Sequence, residues 1–352
     1  MLWCALSLNL SAQDLTLNLE GHWKLDETTG TAAADSSTNS NNGTLTGFDF
    51  NTGSTSPGQV GNALNFAGDD DYISIPNHTS LQPTAALSVA AWVKLDTFGS
   101  GTEVDVIVRK GEGNPNNYQF SIADGQVTLY LDDNDGNGFR GDTVLTAGVW
   151  YHVAATWDGS QVHIYLNGAL DHSPPYSRTG TIATDTRPLY LGGRAGADLT
   201  DGVIDDVRLY SRALTAAEVA ELYSLLGHWR FDEGSGTTIA DRSPHSHNAA
   251  FATGTPTWVA GVRNSALEFD GANDATTSST FAPPATGSVA FWFRSDSLPS
   301  GTERLFGTGG NWEVRIEPTG EVYFDLGGEA NGTQFRTDPG VAGAGKWRHL
   351  VA

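Results

Sequence analysis

A seven-residue segment, Gly21-His22-Trp23-Lys24-Leu25-Asp26-Glu27, returns later in the chain as Gly227-His228-Trp229-Arg230-Phe231-Asp232-Glu233. Further segments answer one another in the same order. Ala63-Leu64-Asn65-Phe66 matches Ala266-Leu267-Glu268-Phe269, Val89-Ala90-Ala91-Trp92-Val93 matches Val289-Ala290-Phe291-Trp292-Phe293, and Ala147 to His152 matches Ala344 to His349. Ordered self-similarity of this kind means two copies of one folding unit. The 352 residues are enough for two domains that each bury a core of ordinary size.

Residues 14–226 form the first copy. The second, 227–352, stops at Ala352, the counterpart of Ala155, so it is expected to be incomplete at its C-terminus, with further domains downstream in a longer chain. Within the first copy the apolar pattern alternates with period two, as in Gln161-Val162-His163-Ile164-Tyr165-Leu166, Leu189-Tyr190-Leu191 and Val203 to Tyr210. In Val203 to Tyr210, strict alternation places Val203, Asp205, Val207 and Leu209 on one face. Trp157-Asp158-Gly159-Ser160 reads as a hairpin turn after Trp150 to Ala155. Val127 to Leu131 and Thr143 to Leu145 read as strands flanking a polar tip. One helix is predicted over 215–224, opened by the T-x-x-E capping box of Thr215 and Glu218, and is expected to pack on the sandwich end.

Composition narrows the function. A formal charge of −22 with four lysines (Lys24, Lys94, Lys110, Lys346) makes a nucleic-acid backbone or an anionic bilayer a poor partner, so no nucleic acid is expected, and leaves cations as the natural counter-charge. The single cysteine, Cys4, rules out a disulfide framework and a cysteine-rich zinc site. Residues 1–13 are apolar and end in Leu10-Ser11-Ala12-Gln13, which reads as the remnant of a secretory signal peptide and predicts a secreted or cell-surface product. No apolar run reaches the length needed for membrane insertion.

Six ordered marks resemble the laminin G-like branch of the concanavalin A-like lectin and glucanase superfamily: Trp23 to Glu27, Leu64-Asn65-Phe66 with Asp71-Tyr72-Ile73, Ala91-Trp92-Val93, Gly148 to Val153, the Trp157-Asp158-Gly159 turn, and Asp205 to Leu214. The resemblance implies an all-β fold, a two-sheet antiparallel jelly-roll sandwich in two tandem copies. It also implies a non-catalytic extracellular binding or adhesion module within a larger secreted protein, with a glycan or an extracellular protein as partner. The alternatives are a passive spacer and an accessory domain of a carbohydrate-active enzyme.

No catalytic residues are assigned. Glucanases of this fold carry E-x-D-x-x-E on one strand face. Here Glu103-Val104-Asp105 is followed by Val108 in place of the third carboxylate, and the second copy reads Glu303-Arg304-Leu305. His152 and His349 sit in W-x-H strands, where packing within the sheet is expected. The tryptophans Trp23, Trp92, Trp150 and Trp157 are expected in the core.

A structural calcium has two candidate sites. Asp133, Asp135 and Asn137 place alternate oxygen ligands around Gly136, as in the first half of an EF-hand loop. Asp26 and Glu27 could meet Asp205 or Asp206 where the terminal strands of the resembled sandwich come together. The pentraxin type of calcium loop is disfavoured by Arg194 and the alanines after Leu191-Gly192-Gly193. For a glycan, aromatic rings beside planar polar groups make Asn116, Asn117 and Tyr118, Arg140, and Tyr176 with Arg178 the candidates. These ligand features do not recur in the second copy, where Tyr72 is replaced by Ala275.

Overall fold

The computed structural model describes residues 14–99, 104–111, 117–132, 138–224, 227–241, 243, 247–262, 264–270, 274–278, 288–307, 312–326 and 333–351. The chain divides after Leu226 into two compact units.

The main strands of the first unit are, in chain order, β1 (Leu19–Trp23), β2 (Gly43–Thr46), β3 (Asn62–Ala67), β4 (Tyr72–Ile75), β5 (Leu87–Leu95) and β6 (Asp105–Lys110). They are followed by β7 (Tyr118–Ala123), β8 (Gln126–Leu131), β9 (Tyr151–Trp157), β10 (Gln161–Leu166), β11 (Leu189–Leu191), β12 (Asp201–Tyr210) and the helix α1 (Ala216–Ser224). One antiparallel sheet, sheet A, runs β10-β9-β5-β12, with β1 and β3 sharing the far edge of β12. The other, sheet B, runs β8-β7-β6-β11-β4-β2. The alternating apolar residues of both sheets meet in one core that holds Trp23, Phe66, Val89, Phe120, Trp157 and Leu189. This is the expected two-sheet sandwich.

The recurring G-x-W opening has a steric cause. A Cβ on Gly21 would stand 2.2 Å from the Trp23 ring, and one on Gly227 would stand 2.4 Å from the Trp229 ring, so the indole folds back over a position that must lack a side chain. Each indole N–H donates to a backbone carbonyl, of Asn41 at 2.9 Å and of His247 at 2.8 Å. A second repeated residue, an aspartate fourteen positions after each glycine, completes this corner. Asp35 accepts the His22 N–H at 2.8 Å and Asp241 accepts the His228 N–H at 2.7 Å, and each also receives the N–H groups of its following turn.

Strict alternation fails in β12. Asp205 pairs with Trp92 and Arg208 with Ala90, so two residues of β12 face one of β5, and Asp206 sits at φ 49° in a bulge. Ile204 therefore faces the core, and after the bulge Val207 and Leu209 face it too. The bulge lies where β12 changes partner, from β3 (Ile204 opposite Leu64) to β1 (Val207 opposite Trp23). On the outer face of sheet A, Asp206 accepts two hydrogen bonds from Arg208, both 3.0 Å, and meets His22 Nε2 at 2.6 Å. Burial alone would raise the Asp206 pKa, but Arg208 and His22 overcome it and hold the carboxyl well below its usual range.

The capping box of α1 forms as expected: the Thr215 N–H donates to Glu218 at 2.7 Å and the Glu218 N–H to Thr215 Oγ1 at 3.3 Å. The helix does not sit at the sandwich end. Val219 and Leu222 pack on Ala90, Ala154, Tyr165 and Tyr210, the outward residues of sheet A, making a third layer. Small outward side chains at 90 and 154 leave the room for it. Trp92 belongs to this outer layer and not to the core, its ring 5.5 Å from Tyr223 and 5.3 Å from His152. Trp150 is also outside the core, with Lys94 Nζ 5.5 Å over its ring. The predicted strand over 143–145 is absent. Phe139–Arg140 pairs with β8 in its place, while the Thr143 N–H and hydroxyl turn to Asp171.

In the second unit, β13 (Ala290–Phe293) pairs with β18 (Arg348–Val351), with Trp292 opposite His349, as Trp92 lies opposite His152. A four-stranded sheet joins β14 (Glu303–Gly307), β15 (Trp312–Ile316), β16 (Val322–Leu326) and β17 (Thr333–Arg336).

Replacing Asp206 by Asn keeps a side chain tolerant of positive φ but leaves the Arg208 charge buried without its counter-ion. Denaturant titration of the first unit should show a loss of about 3–5 kcal/mol, and a loss under about 1 kcal/mol would contradict the network's role.

Candidate ligand-binding surface

The two outer faces of the first unit differ in chemistry. Sheet A is sealed by α1. On sheet B, register places Thr44, Ser74, Tyr190, Arg109, Gln119 and Tyr130 in one outward row across six neighbouring strands. At the usual strand separation the row is about 24 Å long. The next row carries Ser121, Thr128 and Arg140. The middle of the row forms a buried floor, with Tyr190, Arg109 and Gln119 only 5–6% exposed, while Thr44 is exposed and Ser74 and Tyr130 are half-buried. Arg109 donates to Asp198 at 2.6 Å, and Arg140 donates to Asp124 at 3.0 Å. Tyr72 meets Tyr190 edge to face with ring centres 6.2 Å apart.

The strand that would carry hydrolytic carboxylates in a glucanase contributes none to this face in its described part. Asp105 pairs with the core residue Ile122, points inward and accepts the Gly99 N–H at 2.9 Å. Burial raises its pKa to about 6. A bulge between Val106 and Val108 then turns Arg109 outward. His152 is buried against Trp92 and Tyr223, and burial lowers its pKa to about 4, so at neutral pH it is an uncharged packing residue.

The ligand candidates read from sequence separate. Asn116 lies outside the described residues. Asn117 is buried and donates to the Ala183 carbonyl, and Tyr118 is a core residue whose hydroxyl donates to the Leu81 carbonyl at 2.9 Å. Neither reaches the surface, because β7 turns residue 118 inward. Arg178 lies over the Trp157 ring at 4.7 Å and is bound to Asp132. Arg140 and Tyr176 do come together, through a 2.7 Å bond from the tyrosine hydroxyl to the Arg140 carbonyl. Phe139 and His172, unforeseen in the sequence, pack on Tyr176, the imidazole stacked at 4.1 Å. This cluster closes the edge between the two sheets and places Arg140 at the rim of the sheet B face.

Asp133, Asp135 and Asn137 lie outside the described residues. The other calcium candidates each accept hydrogen bonds from protein donors. Asp26 accepts the Asn62 N–H at 2.7 Å, Glu27 the Ala34 N–H at 2.9 Å, and Asp205 the N–H groups of Gln59 and Val60 at 2.7 and 2.8 Å. Asp206 is held by Arg208. Among the described residues no group of three or more His, Cys, Asp or Glu is placed to hold a metal ion.

In the second unit the matching face differs. Arg304, Arg315, Tyr323 and Arg336 form its cross-strand row, and Arg315 bonds Glu313 at 2.6 Å and Glu317 at 2.9 Å. Although burial opposes it, hydrogen bonds from Arg304 and Arg315 keep Glu313 below its usual range, unlike a general acid.

The family model of the concanavalin A-like lectin/glucanases superfamily, of laminin G type, matches residues 67–220 and 269–352. The chain belongs to this superfamily. Among superfamily relatives and similar proteins, the β subunit of N,N-dimethylformamidase from Paracoccus aminophilus is 26% identical over 203 residues, which take in 47% of this chain and 26% of that protein. Adhesion G-protein coupled receptor V1 of Danio rerio is 28% identical over 167 residues, 44% of this chain and 3% of the receptor. The chain thus spans about a quarter or less of these relatives. Domain 4 of the extracellular arabinanase AbnA from Geobacillus stearothermophilus, solved with arabinotriose, is similar at 24% identity with a TM-score of 0.47, covering 59% of this chain and 98% of that one. No helix among the described residues is long and apolar enough to cross a membrane.

Asp205 supplies a pH signature. One of its oxygens is buried without a hydrogen-bond partner, and burial raises its pKa to about 8. A carboxyl with a raised folded-state pKa stabilises fully below its unfolded value of about 4 and loses that contribution as pH rises through about 8. Denaturation midpoints of the first unit should therefore fall between pH 5 and 9, and Asp205→Asn should flatten that fall. An equal slope in the variant would contradict the assignment.

Proposed function

We propose that the first unit is a non-catalytic module that binds a glycan along the outer face of sheet B, and that the protein works outside the cell. The observation that carries this reading is the contrast between the two outer faces. One is closed by an apolar helix, whereas the other sets hydroxyls, phenols, a guanidinium and an amide in register across six strands. Planar polar groups between aromatic rings suit a polyhydroxylated chain, whose hydroxyls need paired donors and acceptors and whose apolar ring faces need an aromatic surface. Membership of a lectin and glucanase superfamily agrees with a sugar ligand. The absence of carboxylates from the outward positions of the described part of β6 favours binding over hydrolysis.

A protein partner is the second reading, favoured by the similarity to an adhesion receptor. Glycan-array screening of the full chain, with titration of the strongest hit, separates the two. Tyr130→Ala should weaken glycan binding about tenfold, or about 1.4 kcal/mol, while Tyr223→Ala on the opposite face should leave affinity unchanged. An unaltered Kd in Tyr130→Ala would contradict the placement of the site. Repeating the titration with a chelator tests the calcium expectation at Asp133, Asp135 and Asn137.

A further inference from the structure

We infer that Asp198 sets the class of ligand this face accepts, by cancelling the charge of Arg109, so that the first unit selects uncharged glycans and rejects carboxylated or sulfated ones. The inference rests on the glycan-binding reading of sheet B. A guanidinium in the middle of a binding surface would ordinarily attract an anionic sugar, because its fork matches carboxylate and sulfate. Arg109 is not available for that. Asp198 meets it at 2.6 Å, with the arginine side chain 7% and the aspartate 18% exposed, and the same carboxylate stands 3.6 Å from Arg194. At the rim, Arg140 is paired in the same way with Asp124 at 3.0 Å. Each of the seven arginines of the first unit has a carboxylate partner. An anionic ligand would have to displace a fitted carboxylate and then approach a unit with 27 acidic and 10 basic residues.

Fixed by its partner, Arg109 keeps its planar geometry between Tyr190 and Gln119 and acts as an oriented donor with its charge compensated. Asp198 lies at φ 55° in the loop after β11, whose Gly192 N–H is bonded to the Ile107 carbonyl of β6, so the loop holds the carboxylate over the strand that carries Arg109.

The test uses the full chain, its Asp198→Asn variant and an Asp124→Asn variant on an array of matched neutral, uronate-bearing and sulfated oligosaccharides. The parent protein should retain neutral glycans alone, with Kd changing less than about twofold between about 50 and 500 mM NaCl. Asp198→Asn should gain anionic glycans by about tenfold or more, and that gain should vanish at high salt. Asp124→Asn repeats the test at the rim and keeps it decisive if Asp198→Asn does not fold. A parent protein that prefers anionic glycans in a salt-sensitive way, or folded variants with unchanged selectivity, would overturn the role of Asp198 while leaving sheet B as a glycan surface. Binding of no glycan by any of the three would overturn both.

Discussion

The first unit depends on a single left-handed residue, Asp206, fixed by Arg208 and His22 in the longest strand of the fold. A straight strand can serve one partner along each edge. The bulge lets β12 take β3 over its first half and β1 over its second, and it resets the side-chain alternation so that both halves still feed the core. Without that reset, Val207 and Leu209 would turn outward and Arg208 inward. The ion pair adds little net stability by itself, since burial of both charges opposes their attraction, but removal of one partner is costly. Its contribution is to register.

Register in turn decides which side chains reach which surface. On sheet A the outward positions beneath α1, Ala90, Ala154, Tyr165 and Tyr210, are small or aromatic and accept the helix. On sheet B a second bulge, in β6, lies between the inward Asp105 and the outward Arg109, and so places a polar donor on that face. The two units share the steric corner of Gly21 with Trp23 and of Gly227 with Trp229, yet their outward cross-strand rows differ, with guanidinium, amide and phenol in one and an arginine and carboxylate network in the other. The scaffold is repeated, and the surface chemistry is not.

Much of the fold is legible in the sequence because repetition and period-two alternation are local signals. The Asp158-Gly159 turn and the Thr215 to Glu218 capping box both form as read, whereas the opening strand ends at Trp23, before Asp26 and Glu27. What escaped is set by bulges and by third-layer packing. A one-residue insertion in β12 inverts the faces beyond it, and nothing in the sequence marks Asp206 apart from the tolerance of aspartate for positive φ. Tyr118 looked like a surface aromatic because asparagines precede it, yet β7 turns it inward. Tyr190, Arg109, Gln119 and Tyr130 lie far apart in the chain, and only strand order unites them. Asp35 and Asp241 stand the same distance after their G-x-W openings, so the internal repeat does mark them in the sequence.

On the proposed reading the outer face of sheet B, and not the helix-covered face or the loops, receives the ligand. Chemical-shift mapping of the labelled full chain with its tightest-binding neutral oligosaccharide tests this most directly. Shifts should concentrate on Tyr190, Arg109, Gln119, Tyr130 and Arg140, with α1 unaffected. Shifts confined to α1 and the outer face of sheet A, or to the second unit, would contradict it.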